Sequence, residues 1–445
     1  MSSPGYVLIM LLMAGSAWPQ AVPGATGAAA NIDDEYRMPT PPMVGAEPFQ
    51  TQAGLEQRSN YVHGGLTVSP AYSDNVLNRT GTDRVADMVY TVSPTISVDK
   101  SVPRLQFMWE VTPGFTLFQH VTARNSAYQN TTFHGQYRLT PHTTATWREA
   151  FLHTSNVFGE PYAIFPSSIS GAPSPSPPDV VPIFAERLMN EANAELTFQP
   201  TMNVLIGAGG STTWYHLPNP SEAPGLCDSN SGSASGFYSR RYAGTQYLGL
   251  TYQYAHILEH PQNSDLTIFT HAALPFYMIS LGQALKASIS GGMQYYHEAP
   301  NSSVSNGSWK PMLVGSLGWQ ISRFAVAAQG SRSVTGGGGL LGAYQTTSGV
   351  GNIRWLPARS WALQGSGAYY LRQNVSFLSL FGTPGGHTVS GSISLERTLS
   401  ERITLRFGYQ REHMSYSQVE SIARNPDLNR EFVSISYHFS RALGR

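Results

Sequence analysis

Histidines and serines are the residues of this sequence whose types could carry out acid–base or nucleophilic chemistry. The chain has 13 histidines, but none lies in the His-Glu-x-x-His spacing that presents two imidazoles and a general base to zinc. No serine lies in the Gly-x-Ser-x-Gly turn of a hydrolase nucleophile. We therefore expect no catalytic residues and predict that the protein is not an enzyme.

Metal, phosphate and thiol chemistry are not predicted either. Asp74, Asp83 and Asp87 could contact Ca²⁺, but they lack the spacing of a dedicated calcium loop. The glycines from Gly336 to Gly339 are followed by neither Lys-Ser/Thr nor a helix, so they predict a flexible loop tip and not a phosphate-binding loop. The single cysteine, Cys227, is expected to be an incidental loop thiol. We expect no metal and no cofactor.

The overall charge and hydropathy exclude further classes of protein. Lysine plus arginine number 27, aspartate plus glutamate also number 27, and the net charge is zero. No basic surplus is available to bind nucleic acid. Only 12% of residues are charged, which is low for a soluble globular domain. After the N-terminus no run of about 18 apolar residues occurs, so a membrane crossing would use strands and not helices.

Three segments are predicted along the chain. Residues 6 to 14 form an apolar core followed by Gly15, Ser16 and Ala17, which indicates a signal peptide over residues 1–21. Residues 22–58 contain many prolines and little apolar periodicity, so they predict a flexible periplasmic segment. Residues 59–445 are predicted to form the barrel described next.

Alternation of apolar and polar residues recurs through residues 59–445 and predicts strands. The clearest copy runs from Arg402 to Gln410, and others include Leu285 to Tyr295 and Val433 to Phe439. Short connectors alternate with long polar loops, which is the asymmetry of a transmembrane barrel. A first count gives 17 strands, whereas bacterial barrels have even numbers. Taking the small-residue stretch Ser229 to Arg240 as a strand restores the alternation. We predict an all-β, antiparallel, up-and-down transmembrane barrel of about 18 strands, with 16 as the fallback.

The last strand and several internal segments carry a family resemblance. Val433-Ser-Ile-Ser-Tyr-His-Phe439 resembles the assembly signal of outer-membrane barrels, which implies recognition by the barrel assembly machinery. Together with Val92 to Ser97, Leu250 to Tyr254 and Ser400 to Tyr409, it makes the chain similar to uncharacterised porin-like barrel proteins of Gram-negative bacteria. The resemblance implies a multi-pass protein of the cell outer membrane. Its partners would be outer-membrane lipid and lipopolysaccharide, and a homo-oligomer is possible by analogy with porins.

Side chains on the two faces of the strands are the candidate functional residues. The expected function is passive diffusion of small hydrophilic solutes through the lumen, since a barrel of this size is wide enough for an aqueous channel. Alternatively, the inward charges pair across neighbouring strands and only fix register. The pore-lining candidates are Glu110, Arg138, Arg148, Glu195, Lys286, Arg354, Glu396, Arg402 and Arg406. The lipid-facing candidates are Ile403, Leu405, Phe407, Tyr409, Val433, Ile435 and Tyr437.

Two further features bear on what passes through the lumen. The long loop from Ser155 to Leu188 either folds inward as a constriction or is a disordered surface loop. Tyr247, Tyr277 and Tyr296 are expected to point inward, where they could stack on sugar rings. The alternative function is a non-conducting barrel that serves as an exopolysaccharide-secretion accessory or a surface scaffold.

Overall fold

The computed structural model describes residues 38, 60–77, 84–155, 185–260, 265–281, 285–300, 306–376, 385–417 and 427–443. The chain divides into two units, residues 1–37 and 38–445, and every described residue belongs to the second. The predicted signal peptide, and all of residues 22–58 except Met38, therefore lie outside the described residues. The strands are β1 (Tyr61–Ser73), β2 (Asp87–Val102), β3 (Leu105–Phe118), β4 (Ser126–Thr140), β5 (Thr143–Thr154), β6 (Arg187–Thr201), β7 (Val204–His216), β8 (Asp228–Ala243), β9 (Gln246–His260), β10 (Leu266–Leu281), β11 (Leu285–Pro300), β12 (Asn306–Ile321), β13 (Phe324–Gly336), β14 (Ala343–Ala358), β15 (Trp361–Asn374), β16 (Gly386–Ser400), β17 (Ile403–Tyr416) and β18 (Asp427–Ala442).

The strands form one closed antiparallel barrel. Each strand pairs with its neighbour in sequence, and β1 also pairs with β18, from Tyr61 opposite Ala442 to Ser73 opposite Arg430. Closure leaves the sheet without a free first or last strand. The predicted fold class and the count of 18 strands are confirmed. The weak stretch Ser229 to Arg240 is indeed a strand, because it lies within β8 and pairs along its length with β7 and β9.

The connections differ between the two ends of the barrel. At one end most strands are joined by two residues, as at 103–104, 141–142, 202–203, 322–323 and 359–360. At the other end the connections are longer, and their described residues include 3₁₀ turns at Thr122–Arg124 and Pro220–Glu222. The first strand, β1, begins at the end with the short turns, and the last strand, β18, ends there, since Tyr61 pairs with Ala442. Short turns belong to the periplasmic side of such barrels and long loops to the extracellular side.

The wall has one apolar and one polar face. Ile403, Phe407, Val433 and Ile435 share one face with the other large exposed hydrophobic side chains, while Thr404, Ser434 and their neighbours point the opposite way. A water-soluble protein would cover such an apolar band, whereas a barrel exposes it to lipid. No helix among the described residues is long and apolar enough to cross a bilayer. A closed 18-strand barrel with an apolar outer band is a multi-pass protein of the outer membrane.

Candidate functional site

The inward face of the wall is lined by pairs of hydroxyl groups. Each pair lies directly opposite in the register of two neighbouring strands, and its oxygens are 2.6 to 2.9 Å apart. A hydroxyl is one donor and two acceptors, so a pair that shares one hydrogen still presents polar groups to the lumen. We call this set the hydroxyl girdle; its members are Thr67–Ser436, Ser211–Ser233, Ser288–Ser316, Ser331–Ser348 and Ser366–Ser392.

The pore-lining candidates lie mostly on the strand positions that share this inward face. One of them, Arg402, lies instead in the two-residue turn 401–402 between β16 and β17. Glu396 and Arg406 are opposite each other in register, and an Arg406 Nη2 lies 2.5 Å from Glu396 Oε2. For this pair the register-fixing interpretation is supported. The positions on the inward face are Glu110, Arg138, Arg148, Glu195, Lys286, Arg354, Glu396 and Arg406.

The lipid-facing candidates all occupy strand positions of the opposite face. On β17 these are Ile403, Leu405, Phe407 and Tyr409, and each pairs with an outward residue of β18. The side chain of Phe407 is 44% exposed. On β18 they are Val433, Ile435 and Tyr437.

The three tyrosines expected in the lumen do not all face inward. Tyr247 and Tyr296 are inward and buried. Tyr277 is outward, because it alternates with the inward residues Phe276 and Met278 and is exposed. The prediction for Tyr277 was wrong because both faces of β10 are apolar, so its alternation pattern does not identify the inner face.

A hairpin between β13 and β14 folds into the lumen. The pairing of β13 with β12 runs from Phe324 only to Arg332, although both strands continue beyond that point. Above Arg332 the backbone of Val334 is bonded to the side chain of Gln294 on β11. The Val334 N–H donates to Gln294 Oε1 at 2.7 Å, and Gln294 Nε2 donates to the Val334 carbonyl at 2.9 Å. We call residues 333–346 the inward hairpin.

Two buried carboxylates hold the base and tip of the inward hairpin. Glu259 is 1% exposed, and its oxygens accept hydrogen bonds from the Gly337 N–H at 3.2 Å and the Gly342 N–H at 2.6 Å. Glu298 accepts from the Ala343 N–H at 3.1 Å and from the Ser376 hydroxyl at 2.9 Å. A buried N–H group left without an acceptor costs about 1–3 kcal/mol, so each of these N–H hydrogen bonds stabilises the hairpin in this position. The hairpin is therefore fixed to the inner wall of β9 and β11.

The tip of the inward hairpin reaches the loop that precedes β8. The Cys227 N–H donates to the Gly339 carbonyl at 2.8 Å, and a Cβ added at Gly339 would lie 3.4 Å from the Tyr215 ring. Cys227 itself is buried. Burial raises the pKa of the Cys227 thiol well above its usual value, and the Glu259 and Asp228 carboxylates raise it further. The tip thus covers a thiol that is protonated at neutral pH.

The glycines of the tip have a structural role that differs from the predicted flexible loop tip. The φ values of Gly338, Gly339 and Gly342 are 60°, 92° and 110°. Residues that carry a Cβ rarely adopt this backbone conformation. A Cβ on Gly337 would lie 1.8 Å from the Leu340 carbonyl oxygen. Leu340 itself is 1% exposed. The prediction was wrong because the glycines form a tightly packed turn inside the barrel.

The inner face of β10 explains why the hairpin folds inward. Leu266 and Ile268 form one buried cluster with Ile257, Tyr296 and the hairpin residues Val334 and Ala343. Apolar side chains on a lumen wall would otherwise face water, so covering them stabilises the folded hairpin. The signal was present in the sequence, since β10 carries apolar residues on both faces and not on one.

A second apolar contact lies near the periplasmic end of the same wall. Met38 is buried in a cluster with Leu205, Phe237, Tyr247 and Met278. Its N–H donates to Gln199 Oε1 at 3.2 Å. This residue belongs to the segment that precedes the barrel, and it contacts the inner side of the wall. The predicted constriction loop, Ser155 to Leu188, lies largely outside the described residues, and its placement stays a prediction.

Glu259 belongs to a sequence motif on β9. His256-Ile-Leu-Glu-His260 has the His-x-x-Glu-His order of a class of zinc enzymes. On the strand β9, however, residues an odd number of positions apart face opposite sides of the sheet. His256 and His260 are outward, and Glu259 is inward. Among the described residues no group of three or more metal-ligating side chains is found.

Comparisons with known proteins give similarities to solved barrels and to no characterised sequence. No protein-family model and no curated protein matches the chain. OccK2 (OpdF) of Pseudomonas aeruginosa is 10% identical with a TM-score of 0.40, covering 86% of this chain and 98% of its own. OpdK of the same organism, solved with vanillate, is 8% identical with a TM-score of 0.38, covering 85% and 99%. The FrpB iron transporter of Neisseria meningitidis is 8% identical with a TM-score of 0.39, covering 85% and 82%. At these scores the assignment of the fold rests on this chain's own strand pairing.

Proposed function

We propose that the protein is a channel for passive diffusion of small hydrophilic solutes across the outer membrane, without catalytic activity. The observation that carries this proposal is the hydroxyl girdle inside a closed 18-strand barrel. A wall of hydroxyl pairs supplies hydrogen bonds that replace part of the hydration shell of a polar solute. It does so without a strong preference for either sign of charge.

The inward hairpin sets the size limit of the proposed channel. It runs along the inner wall from β13 and β14 to the loop before β8, and on the way it is hydrogen-bonded to β11 and β9. Such an element narrows the extracellular half of the lumen, while the hydroxyl girdle lies below it. The contacts of the hairpin with β11, β9 and the loop before β8 support its role as the constriction.

Swelling of proteoliposomes in a series of sugars of increasing size tests the proposal. We expect swelling with monosaccharides and a sharp decrease for larger oligosaccharides, because the inward hairpin limits the passage. The matched variant replaces residues 337–342 by Asn-Gly, a two-residue hairpin turn, and should admit larger sugars. Barrels that resist unfolding in detergent yet produce no swelling with any sugar would contradict the proposal.

A non-conducting barrel is the second candidate, and a particular observation favours it. The inner face of β10 is buried from Leu266 to Met278, covered by the inward hairpin near one end and contacted by Met38 near the other. A lumen packed in this way along its whole length would suit a secretion accessory or a surface scaffold. The absence of swelling, with folding intact, is the result that this candidate predicts.

A further inference from the structure

The bend of the inward hairpin leaves part of β12 without a neighbour on one side. β12 pairs with β11 up to Asn306 but with β13 only up to Leu313. Pro311, which has no N–H to offer, lies in that upper stretch. We call the space between residues 309–313 of β12 and residues 332–334 of β13 the β12–β13 slit. Backbone groups next to lipid need hydrogen-bond partners, so a polar group that enters the slit would be stabilised.

Two donor side chains lie at the slit. Arg332 is on the outer face of β13 and exposed, and its Nη2 donates to Gln345 Oε1 at 3.2 Å. Gln345 is only 5% exposed, and its Nε2 has no hydrogen-bond partner in the part of the chain that the structure describes. An arginine on the outer face near the lipid boundary is unfavourable unless an anion compensates its charge. Arg332 therefore favours an anionic ligand, and beside it Gln345 Nε2 is a buried donor without a partner among the described residues.

A surface without side chains lies directly below the slit on the outer wall. Gly315, Gly330 and Gly349 are paired in register across β12, β13 and β14, and Gly351 follows one step further down. A Cβ added at any of the four would meet no atom closer than 3.7 Å. Glycine weakens strands, and nothing inside this wall requires it here. We call these four positions the glycine groove; it allows an external group to approach the backbone closely.

We propose that the β12–β13 slit and the glycine groove together bind one anionic lipid of the outer leaflet. The headgroup contacts Arg332, and an acyl chain lies in the glycine groove. Leu313, 51% exposed, provides apolar surface beside Arg332 on β12. Arg332 lies above the glycine groove, as the headgroup of an outer-leaflet lipid lies above its acyl chains. The proposal rests on the barrel's position in the membrane and is independent of what passes through the lumen.

Titration of the refolded barrel with dodecyl phosphate in a neutral detergent, followed by native mass spectrometry, tests the proposal. We expect one saturable ligand per barrel. Gly330→Leu, which fills the glycine groove, and Arg332→Gln, which removes the charge, should each raise the Kd at least tenfold. Gly236→Leu is the matched control on the outer face of β8, since its Cβ would also meet its first atom at 3.7 Å. Arg411→Gln removes an exposed outward arginine elsewhere.

The outcomes separate the proposal from its competitors. Loss of binding in Gly330→Leu and Arg332→Gln, with both controls unchanged, supports it. No saturable binding, or equal weakening in all four variants, overturns it. If inorganic phosphate competes at a similar concentration, the acyl chain of the ligand contributes nothing to binding. That result overturns the role of the glycine groove. A barrel dimer that Gly330→Leu dissociates would assign the surface to a second copy of this chain instead. Sugar swelling should be the same in all four variants, so failure here leaves the proposed channel untouched.

Discussion

Single residues in this barrel are governed by which side of the wall they face. Thr404 and Phe407 lie three positions apart on β17, so one faces the lumen and the other the lipid. The same alternation distinguishes Ser434 from Val433 and Ile435 on β18. A polar group costs little on the inner face, where water or a hydroxyl partner is available, and much on the outer face.

Substitution by arginine at these two positions should have opposite effects on assembly. Phe407→Arg places a charge in the lipid, at a cost of about 2–4 kcal/mol near the midplane, and should strongly reduce the fraction of heat-modifiable barrel. Thr404→Arg should assemble normally. The measurement is the fraction of folded protein after refolding into vesicles. Equal tolerance of both changes would show that the register of β17 is wrong.

The lumen charges make a second prediction at this scale. Arg354→Glu reverses a charge on the inward face of β14 and should shift the reversal potential in a salt gradient toward cation preference. Arg402→Glu is the matched control, because Arg402 lies in the periplasmic turn 401–402. Its effect should be clearly smaller. Shifts of equal size would mean that selectivity is set at the mouth and not along the wall.

The inward hairpin is the element that sequence patterns failed to predict. The 18 strands followed from alternation, and even β8 was found, because loops of alternating length require an even count. The hairpin depends on contacts between residues far apart in sequence, such as Glu259 with Gly342 and Gln294 with Val334. A run of glycines indicates only that the backbone is unrestricted. Here the backbone of the glycine run is fixed by Glu259 of β9 and Glu298 of β11. Alternation predicts that both side chains face the lumen, but it does not predict which backbone groups they bind.

Release of the hairpin should make Cys227 reactive. Glu259→Ala leaves two glycine N–H groups without their acceptor, at about 1–3 kcal/mol for each buried donor, and removes a charge that raises the pKa of the thiol. Alkylation of Cys227 by iodoacetamide at pH 8 should accelerate, since the thiolate fraction rises about tenfold for each unit by which the pKa falls. In the unaltered protein the rate should keep increasing above pH 9. Glu149→Ala, on the outer face of β5, is the control. An unchanged rate in Glu259→Ala would show that Glu259 does not hold the inward hairpin over Cys227.

The whole molecule combines an apolar outer band, a hydroxyl-lined interior and one inward element that bends out of the wall. The bend affects both the inner and the outer surface of the wall. Inside, it narrows the extracellular half of the lumen, and outside it opens the β12–β13 slit above the glycine groove. The interruption of the wall itself lies between β12 and β13, because β13 stays paired with β14 and β14 with β15 up to the hairpin.

The central claim is that a solute-conducting lumen is constricted by the inward hairpin. Single-channel recording in a planar bilayer tests it most directly, comparing the unaltered protein with the variant in which residues 337–342 are replaced by Asn-Gly. We predict stable conductance steps in the unaltered protein and larger steps in the variant. Steps of the same size in both proteins would show that the hairpin does not set the constriction. No steps in either folded barrel would contradict the channel itself.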